Sequence, residues 1–479
     1  MDLVDSNPTP MAPEDHVLST LERDGSRRWL SPKLARGRFL ARRRAVAYAL
    51  IVIFTVVPYM SVRGKPAILL DVVHRRFTLL GFTFLPTDTL LLALFMVGCI
   101  LSVFLATALL GRVWCGWACP QTVYMEFVFR PIERLFMGRS GVGGKGRGDV
   151  AMWRTAALYL TYLLISFYLA HTFLAYFVGV EALRHWVRGS PSDHLSAFLI
   201  VAVVTALMLF NFGFFREQMC IIACPYGRLQ SVLLDRFSLI ISYDQIRGEP
   251  RGAMRKTTLP VLDQRGDCVD CEMCVAVCPT GIDIRKGLQI ECIACAQCID
   301  ACDSVMKKVG RKPGLIRYSS QAAMAGDKRS ALRPRVIIYP AILLIILTAL
   351  GMLLANKAPV DVIVLRGLGL PFVVTQKGEV ENTLRVKVTN RTDHAMRLSF
   401  IVQNRPQVVA SVAESTFILA PGQTSIEPIH LIAPQSEFVA GILDVTLRIN
   451  GDDRTSIDTV CRLLGPMNNL SAENARASN

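Results

Sequence analysis

Two hydrophobic rhythms divide the chain. Up to residue 356 the apolar residues gather in long charge-free runs, at 45–62, 89–111, 155–180, 195–215 and 336–356. Each run has about the length a helix needs to cross the roughly 30 Å apolar core of a bilayer, so the pattern predicts five membrane-spanning helices. The first run is marginal, because Pro58 interrupts it near its end, although Arg42, Arg43 and Arg44 give it an abrupt start. Beyond residue 356 the period drops to two. Leu384, Val386 and Val388 alternate with Arg385 and Lys387; Met396, Leu398, Phe400 and Val402 alternate with Arg397 and Ser399; Leu443, Val445, Leu447 and Ile449 repeat the pattern. Turn clusters separate these stretches, at Asn390-Arg391-Thr392-Asp393, Pro421-Gly422 and Asn450-Gly451-Asp452. Short antiparallel strands with one buried face produce such alternation.

Charge sharpens the picture. A formal net charge of +15 on 479 residues would by itself suit a nucleic-acid-binding protein. Its distribution does not, since the segment after residue 356 carries twelve basic and twelve acidic residues. The excess lies between the apolar runs, no nucleic-acid motif accompanies it, and no nucleic-acid partner is expected. Lysine and arginine number nine in residues 23–44, seven in 112–154 and eighteen in 216–333, against four in 63–76 and two in 184–188. The positive-inside rule therefore puts the N-terminus and segment 216–333 in the cytoplasm, where basic side chains also touch anionic membrane lipid. Five spans leave the C-terminal segment outside, in the periplasm of a Gram-negative bacterium whose inner membrane holds the chain. About 44 mostly polar residues before the first run argue against a cleavable signal peptide.

The predicted fold class is a multi-domain membrane protein. Residues 1–44 form a flexible basic cytoplasmic tail, 45–235 the first four helices of an α-helical transmembrane bundle, 236–334 a cytoplasmic α+β domain and 335–356 the fifth transmembrane helix. Residues 357–479 form a periplasmic all-β domain, and about 110 residues suffice for one immunoglobulin-like sandwich. Phe77, Phe82 and Phe84 around Gly81 predict a short hairpin or re-entrant piece on the membrane. The glycine-rich stretch 138–148 has the composition of a flexible linker; as a phosphate loop it lacks the Lys-Ser or Lys-Thr ending and follows no strand.

Segment 236–334 carries the most specific chemistry. Cys268-x-x-Cys271-x-x-Cys274-x-x-x-Cys278-Pro279 is repeated as Cys292-x-x-Cys295-x-x-Cys298-x-x-x-Cys302. A tight loop with a cysteine at every third position can wrap three corners of a 4Fe-4S cube, and in ferredoxins with two clusters the last cysteine of each run ligates the other cluster. One cube is then expected on Cys268, Cys271, Cys274 and Cys302, and the second on Cys292, Cys295, Cys298 and Cys278. A zinc ribbon or a disulfide framework does not need eight cysteines in two identical runs of this kind. Asp303 stands where the pattern usually has proline, which is expected to weaken the local turn and not the ligation.

A second repeat lies at the membrane boundary, Cys115-Gly-Trp-Ala-Cys119-Pro120 after the second run and Cys220-Ile-Ile-Ala-Cys224-Pro225 after the fourth. Residues four apart share a helix face, so each pair is expected to point two sulfurs one way, with the proline starting a bend that exposes the site. Paired thiolates suit Cu(I), and four converging sulfurs could also hold zinc or a further iron-sulfur cluster; the bland alternative is unligated cysteine packed at helix ends. Cys99, alone within a span, reads as a packing residue, and Cys461 as a small buried residue in a strand. His171 lacks the second histidine a membrane haem needs and reads as a helix-contact or substrate-path residue.

Together these features resemble the FixG/RdxA family, also called CcoG, of cytochrome c oxidase accessory proteins. The resemblance rests on the basic residues before the first span, on Gly64-Lys65-Pro66-Ala67, Leu70-Asp71 and Phe82-Thr83-Phe84, on both Cys-x-x-x-Cys-Pro motifs and on the double ferredoxin run. The period-two C-terminal domain matches the family's immunoglobulin-like tail, and the likeness covers nearly the whole chain beyond residue 25. The motif pairing also occurs in membrane ferredoxins of periplasmic nitrate and nitrous oxide respiration. The family implies an oxidoreductase that reduces Cu(II) to Cu(I) for the binuclear centre of cbb3-type oxidase. By resemblance, Cys115, Cys119, Cys220 and Cys224 bind the copper and the ferredoxin cysteines deliver the electron. Partners implied in the same way are oxidase assembly factors, a copper-transporting ATPase or copper chaperone, and a cytoplasmic electron donor that no nucleotide or flavin motif identifies. Two other readings are a generic electron conduit from a cytoplasmic or quinol donor to a periplasmic partner, and a non-enzymatic scaffold that holds copper.

Overall fold

The computed structural model describes residues 19–20, 26–62, 64–73, 76–84, 88–138, 150–253, 265–326, 334–356, 358–366, 369–392, 394–412, 416–452 and 456–466. The glycine-rich linker expected at 138–148 lies outside the described residues except for Gly138, which ends the Arg130–Met137 helix in the left-handed conformation. The chain divides into two compact units, residues 1–350 and 351–479.

Among the described residues of the chain, four helices are long and apolar enough to cross a membrane: Thr89–Leu110, Met152–Val178, Leu195–Phe215 and Val336–Ala355. Large apolar side chains such as Ile100, Leu164, Leu207 and Ile345 stand exposed along them, which water does not tolerate on this scale and lipid does. The first predicted run falls in the helix Arg38–Val56. Arg38, Arg42, Arg43 and Arg44 occupy its first turns, and a 3-10 turn at Val57–Tyr59, carrying Pro58, ends it. Strands Ile68–Asp71, Arg76–Leu79 and Phe82–Phe84 form an antiparallel sheet. Its second turn places Leu80 and Gly81 at φ 50° and 86°, the positive-φ pair of a tight hairpin.

The flexible-tail expectation fails from residue 26 onward. Lys33 N–H donates to Ala276 O (2.9 Å), Ala35 N–H to Gln297 Oε1 (3.3 Å), and the Asp300 carboxylate accepts Phe39 N–H (3.2 Å) and Leu40 N–H (2.8 Å). Ala35 is buried with Val277 and Ala301. Residues 26–37 are thus a strap laid over the cysteine-rich segment. Its partners lie about 240 to 265 residues away along the chain, so local composition could not reveal them. Gly37 is required at the crossing, because a Cβ there would run into the Asp300 carboxylate.

The cysteine-rich segment is a small α+β body. Ile240–Tyr243 and Ile316–Ser319 pair antiparallel, the helices Met273–Ala276 and Gln297–Lys308 follow the two cysteine loops, and Ile241, Ile284, Ile299, Met306 and Leu315 share a core with Cys268, Cys274 and Cys302. Asp303 does not weaken a turn. It sits inside Gln297–Lys308, and its Oδ1 accepts Gly314 N–H at 2.8 Å.

In the second unit, Val409–Val412, Thr424–Pro434, Glu379–Asn390 and Val360–Arg366 form one antiparallel sheet in that order, with Val373–Val374 also pairing to Glu379–Asn390. Thr416–Leu419, Met396–Val402, Ile442–Gly451 and Ser456–Leu464 form another. Alternate residues of both, including Val386, Val388, Leu398, Phe400, Val445 and Leu447, meet in one apolar core. Cys461 lies in that core opposite Val445, and burial pushes its thiol pKa up to about 11.

Candidate functional site

Both ferredoxin runs bend their backbone at matching places. Asp270 and Glu272 in the first, and Ala294 and Ala296 in the second, take φ of 54°, 53°, 54° and 62°. Left-handed non-glycine residues are disfavoured and concentrate at functional sites; here they turn each loop inward around its cysteines. The fourth members cross over. Cys278 joins Cys292, Cys295 and Cys298 around a cavity walled by Ile241, Ile282, Ile284 and Ile293, which Cys274 of the other set also lines. Cys302 stands within electrostatic reach of Cys268, Cys271 and Cys274.

Burial away from water raises the thiol pKa of Cys274, Cys292 and Cys302 to about 12 and of Cys295 to about 11, and pushes Cys298 well up. Such thiols keep their protons until a metal displaces them. The donor chemistry of each set, soft sulfur in apolar walls, fits an iron-sulfur cube.

The structure corrects the picture of the Cys-x-x-x-Cys-Pro motifs. Cys115 lies in the short helix Val113–Trp117, whereas Cys119 is the extended residue before Pro120–Tyr124. Cys220 lies in a π-helical turn, Met219–Ala223, and Cys224 is the extended residue before Pro225–Leu233. Neither pair therefore occupies one helix face. Each proline takes the first position of a new helix, where the missing N–H costs nothing, and so restarts a helix instead of bending one. Exposure is uneven: Cys115 is only 7% accessible and packs with Ile293 and Cys295, while Cys119, Cys220 and Cys224 are half-buried.

The four cysteines nevertheless stand near one another. Cys220 feels Cys119, Cys115 and Cys224, and Cys115 feels Cys119 and Cys224. Burial raises the thiol pKa of Cys115 and Cys119, and that of Cys220 to about 12, while Arg112 opposes the rise at Cys115 and Cys220. The Cys115 thiol donates to Gln230 Oε1 (3.0 Å), and Gln230 Nε2 donates to Thr107 Oγ1 (3.3 Å). Among the described residues no three Cys, His, Asp or Glu side chains converge as the ligands of a single metal ion.

What joins this site to the second ferredoxin set escaped the sequence reading. A Cβ on Gly116 would lie 2.5 Å from Ile293 O and 2.8 Å from Cys295 Cα, so only glycine permits this approach. The signal was the difference between the copies, Gly116 in one motif and Ile221 in the other. Arg43 Nε donates to Gly116 O (2.8 Å), and its guanidinium acts electrostatically on Cys295. Trp117 Nε1 donates to Tyr318 OH (3.0 Å), which donates to Ala294 O (2.7 Å). Behind Cys278, Arg130 Nη2 donates to Pro279 O and to Glu217 Oε2, both at 3.4 Å, within a buried network that adds Arg27, Glu126, Glu133 and Arg216.

Cys99 is exposed on the Thr89–Leu110 helix. His171 Nδ1 meets Phe167 O at 2.9 Å; a carbonyl only accepts, so Nδ1 carries the proton. His171 lines a cavity with His194 and Trp186.

Comparisons with known proteins agree in outline. Residues 215–321 match a family model described as a 4Fe-4S dicluster domain, residues 92–139 one described as a 4Fe-4S binding domain, and residues 350–466 one described as the IG-like fold at the C-terminal of FixG. The chain is 32% identical to the nitrogen fixation protein FixG of Rhizobium meliloti, over 81% of each chain. It is 32% identical to protein RdxA of Cereibacter sphaeroides, over 81% of this chain and 84% of that one. It is also 32% identical to protein RdxB of the same organism, over 88% and 92%.

Proposed function

The chain belongs to the FixG/RdxA family and is a membrane iron-sulfur electron-transfer protein, and on that premise we propose that it reduces Cu(II) to Cu(I) at Cys115, Cys119, Cys220 and Cys224. The observation that carries this reading is the packing of Cys115 against Ile293 and Cys295, which sets the boundary cysteines directly on the second ferredoxin loop. Cys268, Cys271, Cys274 and Cys302 hold one 4Fe-4S cube in this reading, and Cys278, Cys292, Cys295 and Cys298 the other. A reduced cube supplies one electron, which is what the conversion of Cu(II) to Cu(I) consumes.

The residues of the chain do the rest. Thiolate donors favour Cu(I) over Cu(II) and so raise the copper potential. Arg43 and Arg112 place positive charge beside the sulfurs that must lose protons to bind metal, which favours the thiolate forms. Gly116 keeps the two sites in contact, and Trp117 and Tyr318 hold the intervening loop in register.

The wider setting follows the family resemblance and the charge pattern. The protein lies in the inner membrane with the cysteine-rich segment in the cytoplasm and the C-terminal domain in the periplasm, and five spans produce that arrangement. Its Cu(I) serves assembly of a cbb3-type oxidase through assembly factors and a copper-transporting ATPase or chaperone.

A second reading, an electron conduit that binds no copper, is favoured by the missing single-ion ligand set and by the iron-sulfur description of the family model matched at 92–139. One preparation separates the two. Iron, sulfide and copper are quantified on the same anaerobic sample, and Cu(II) reduction is compared with a variant carrying Cys115→Ser and Cys119→Ser. The copper reading expects unchanged iron and abolished reduction; unchanged iron with unchanged reduction rejects it.

A further inference from the structure

Beyond the cysteine sites, one cavity combines features that a redox-active ring ligand needs. It measures about 110 Å³ and is walled by Leu234, Leu239, Leu288 and Ile290, with Arg112 and Cys292 at its edge. That volume is smaller than the ~150 Å³ of a dry cavity that holds benzene, so the cavity takes one ring whose edge stands in the open mouth. Arg112 follows directly on the Thr89–Leu110 helix, so the cavity opens where an apolar span meets the water boundary.

Three observations select the occupant. Arg112 is only 5% accessible, its Nη1 donates to Ile290 O, and its Nε finds no hydrogen-bond partner among the described residues. A buried guanidinium N–H without an acceptor costs free energy that a ligand oxygen recovers. Leu288 and Ile290, 45% and 66% exposed, form an apolar lip, which suits a ligand arriving from lipid. Cys292 belongs to the second ferredoxin set, so a ring in the cavity lies against a loop that wraps a cube.

The geometry points to a quinone-binding site: the single ring of a benzoquinone head group seated between Leu239 and Leu288, with one ring oxygen accepting from Arg112. Binding stands on the cavity alone; electron exchange rests on the iron-sulfur reading of Cys292. When the hydroquinone form is oxidised there, two O–H bonds break and two C=O bonds form. One electron passes to each of two cubes and two protons leave through the exposed mouth at Leu288 and Ile290.

The test uses the full-length protein in lipid nanodiscs free of native quinone, with equilibrium binding of a short-chain 1,4-benzoquinone and iron measured on the same samples. Saturable binding is expected in the parent. Leu239→Trp fills the cavity and should lower affinity at least tenfold; Leu288→Trp, at an exposed position that tolerates bulk, should do the same by closing the mouth. Arg112→Lys removes the free Nε–H while keeping the charge and should weaken binding about tenfold, the worth of one charge-assisted hydrogen bond. Non-saturable uptake, equal binding by all variants, or equal displacement by a fatty acid lacking a ring overturns the site. Quinone binding by an iron-loaded preparation whose cubes the hydroquinone form does not reduce upholds the site and rejects the electron exchange built on it.

Discussion

Of Cys268, Cys271, Cys274 and Cys302 only Cys271 meets solvent, and the other three are buried. Asp270 and Glu272 bracket Cys271, and Asp303 adjoins Cys302. Around Cys278, Cys292, Cys295 and Cys298 the protein is closed, by isoleucine walls on one side and by the Gly116 turn on the other. Two sets with the same spacing and the same left-handed turns thus differ in their surroundings: the first has one exposed cysteine beside Asp270, Glu272 and Arg285, the second is walled by isoleucines with Arg43, Arg112 and Glu126 at hand. The difference teaches a direction. The open set presents Cys271 to solvent, where a soluble donor can reach it, and the closed set packs against Cys115.

Five substitutions break or sharpen that comparison. The largest effect is expected from the crossing cysteines: Cys278→Ser should empty the closed set and Cys302→Ser the open one, each lowering iron from about eight to about four per chain. Spectroscopy of the remaining cluster then tells which set survives, and loss of the same cluster in both variants refutes the crossing.

Asp303→Pro comes next. At the equivalent place the first run has Pro279 ending a loop, whereas Asp303 lies within a helix; proline there should cost about 3 kcal/mol, read as a lower unfolding midpoint.

Gly116→Val pushes the boundary cysteines off the closed set. Misplacement of about 1 Å can cost a hundredfold in rate, so Cu(II) reduction should fall by about that factor with iron unchanged; a parent-like rate shows that contact at Gly116 is not the route.

Arg43→Gln is the finest probe. Removing the positive charge that acts on Cys295 withdraws stabilisation from the more negative, reduced state of the closed set. Redox titration should therefore show a lower reduction potential for the closed set and an unmoved one for the open set.

How much was legible beforehand varies with distance along the chain. The four long apolar helices and the alternating strands announce themselves by period, because lipid or a core contacts every turn or every second residue. Cysteine spacing marked both ferredoxin loops, and the crossing of Cys278 and Cys302 was expected from the pattern of two-cluster ferredoxins. What stayed hidden was contact between distant segments. Arg43 reads in sequence as an orienting charge and is fully buried on Gly116. Arg130 and Glu217, 87 residues apart, are paired behind Pro279. The helical reading of Cys115 with Cys119 failed because Pro120 opens a new helix, so the i, i+4 rule spanned a break.

Asp300 caps a helix whose first turn was made long before it. The Asp300 carboxylate and Leu40 N–H are 260 residues apart, and a ribosome adding about 5–20 residues per second needs roughly 13–50 s to cover that interval. During that time the start of the Arg38–Val56 helix has no such partner, and the strap before it has nothing to lie on. Closure must wait for the second cysteine loop, whose residues Gln297 and Asp300 hold it. In biogenesis the strap is therefore a late latch on a loaded loop. Chains made under iron starvation should be cut by protease between residues 26 and 37, and iron-replete chains should resist.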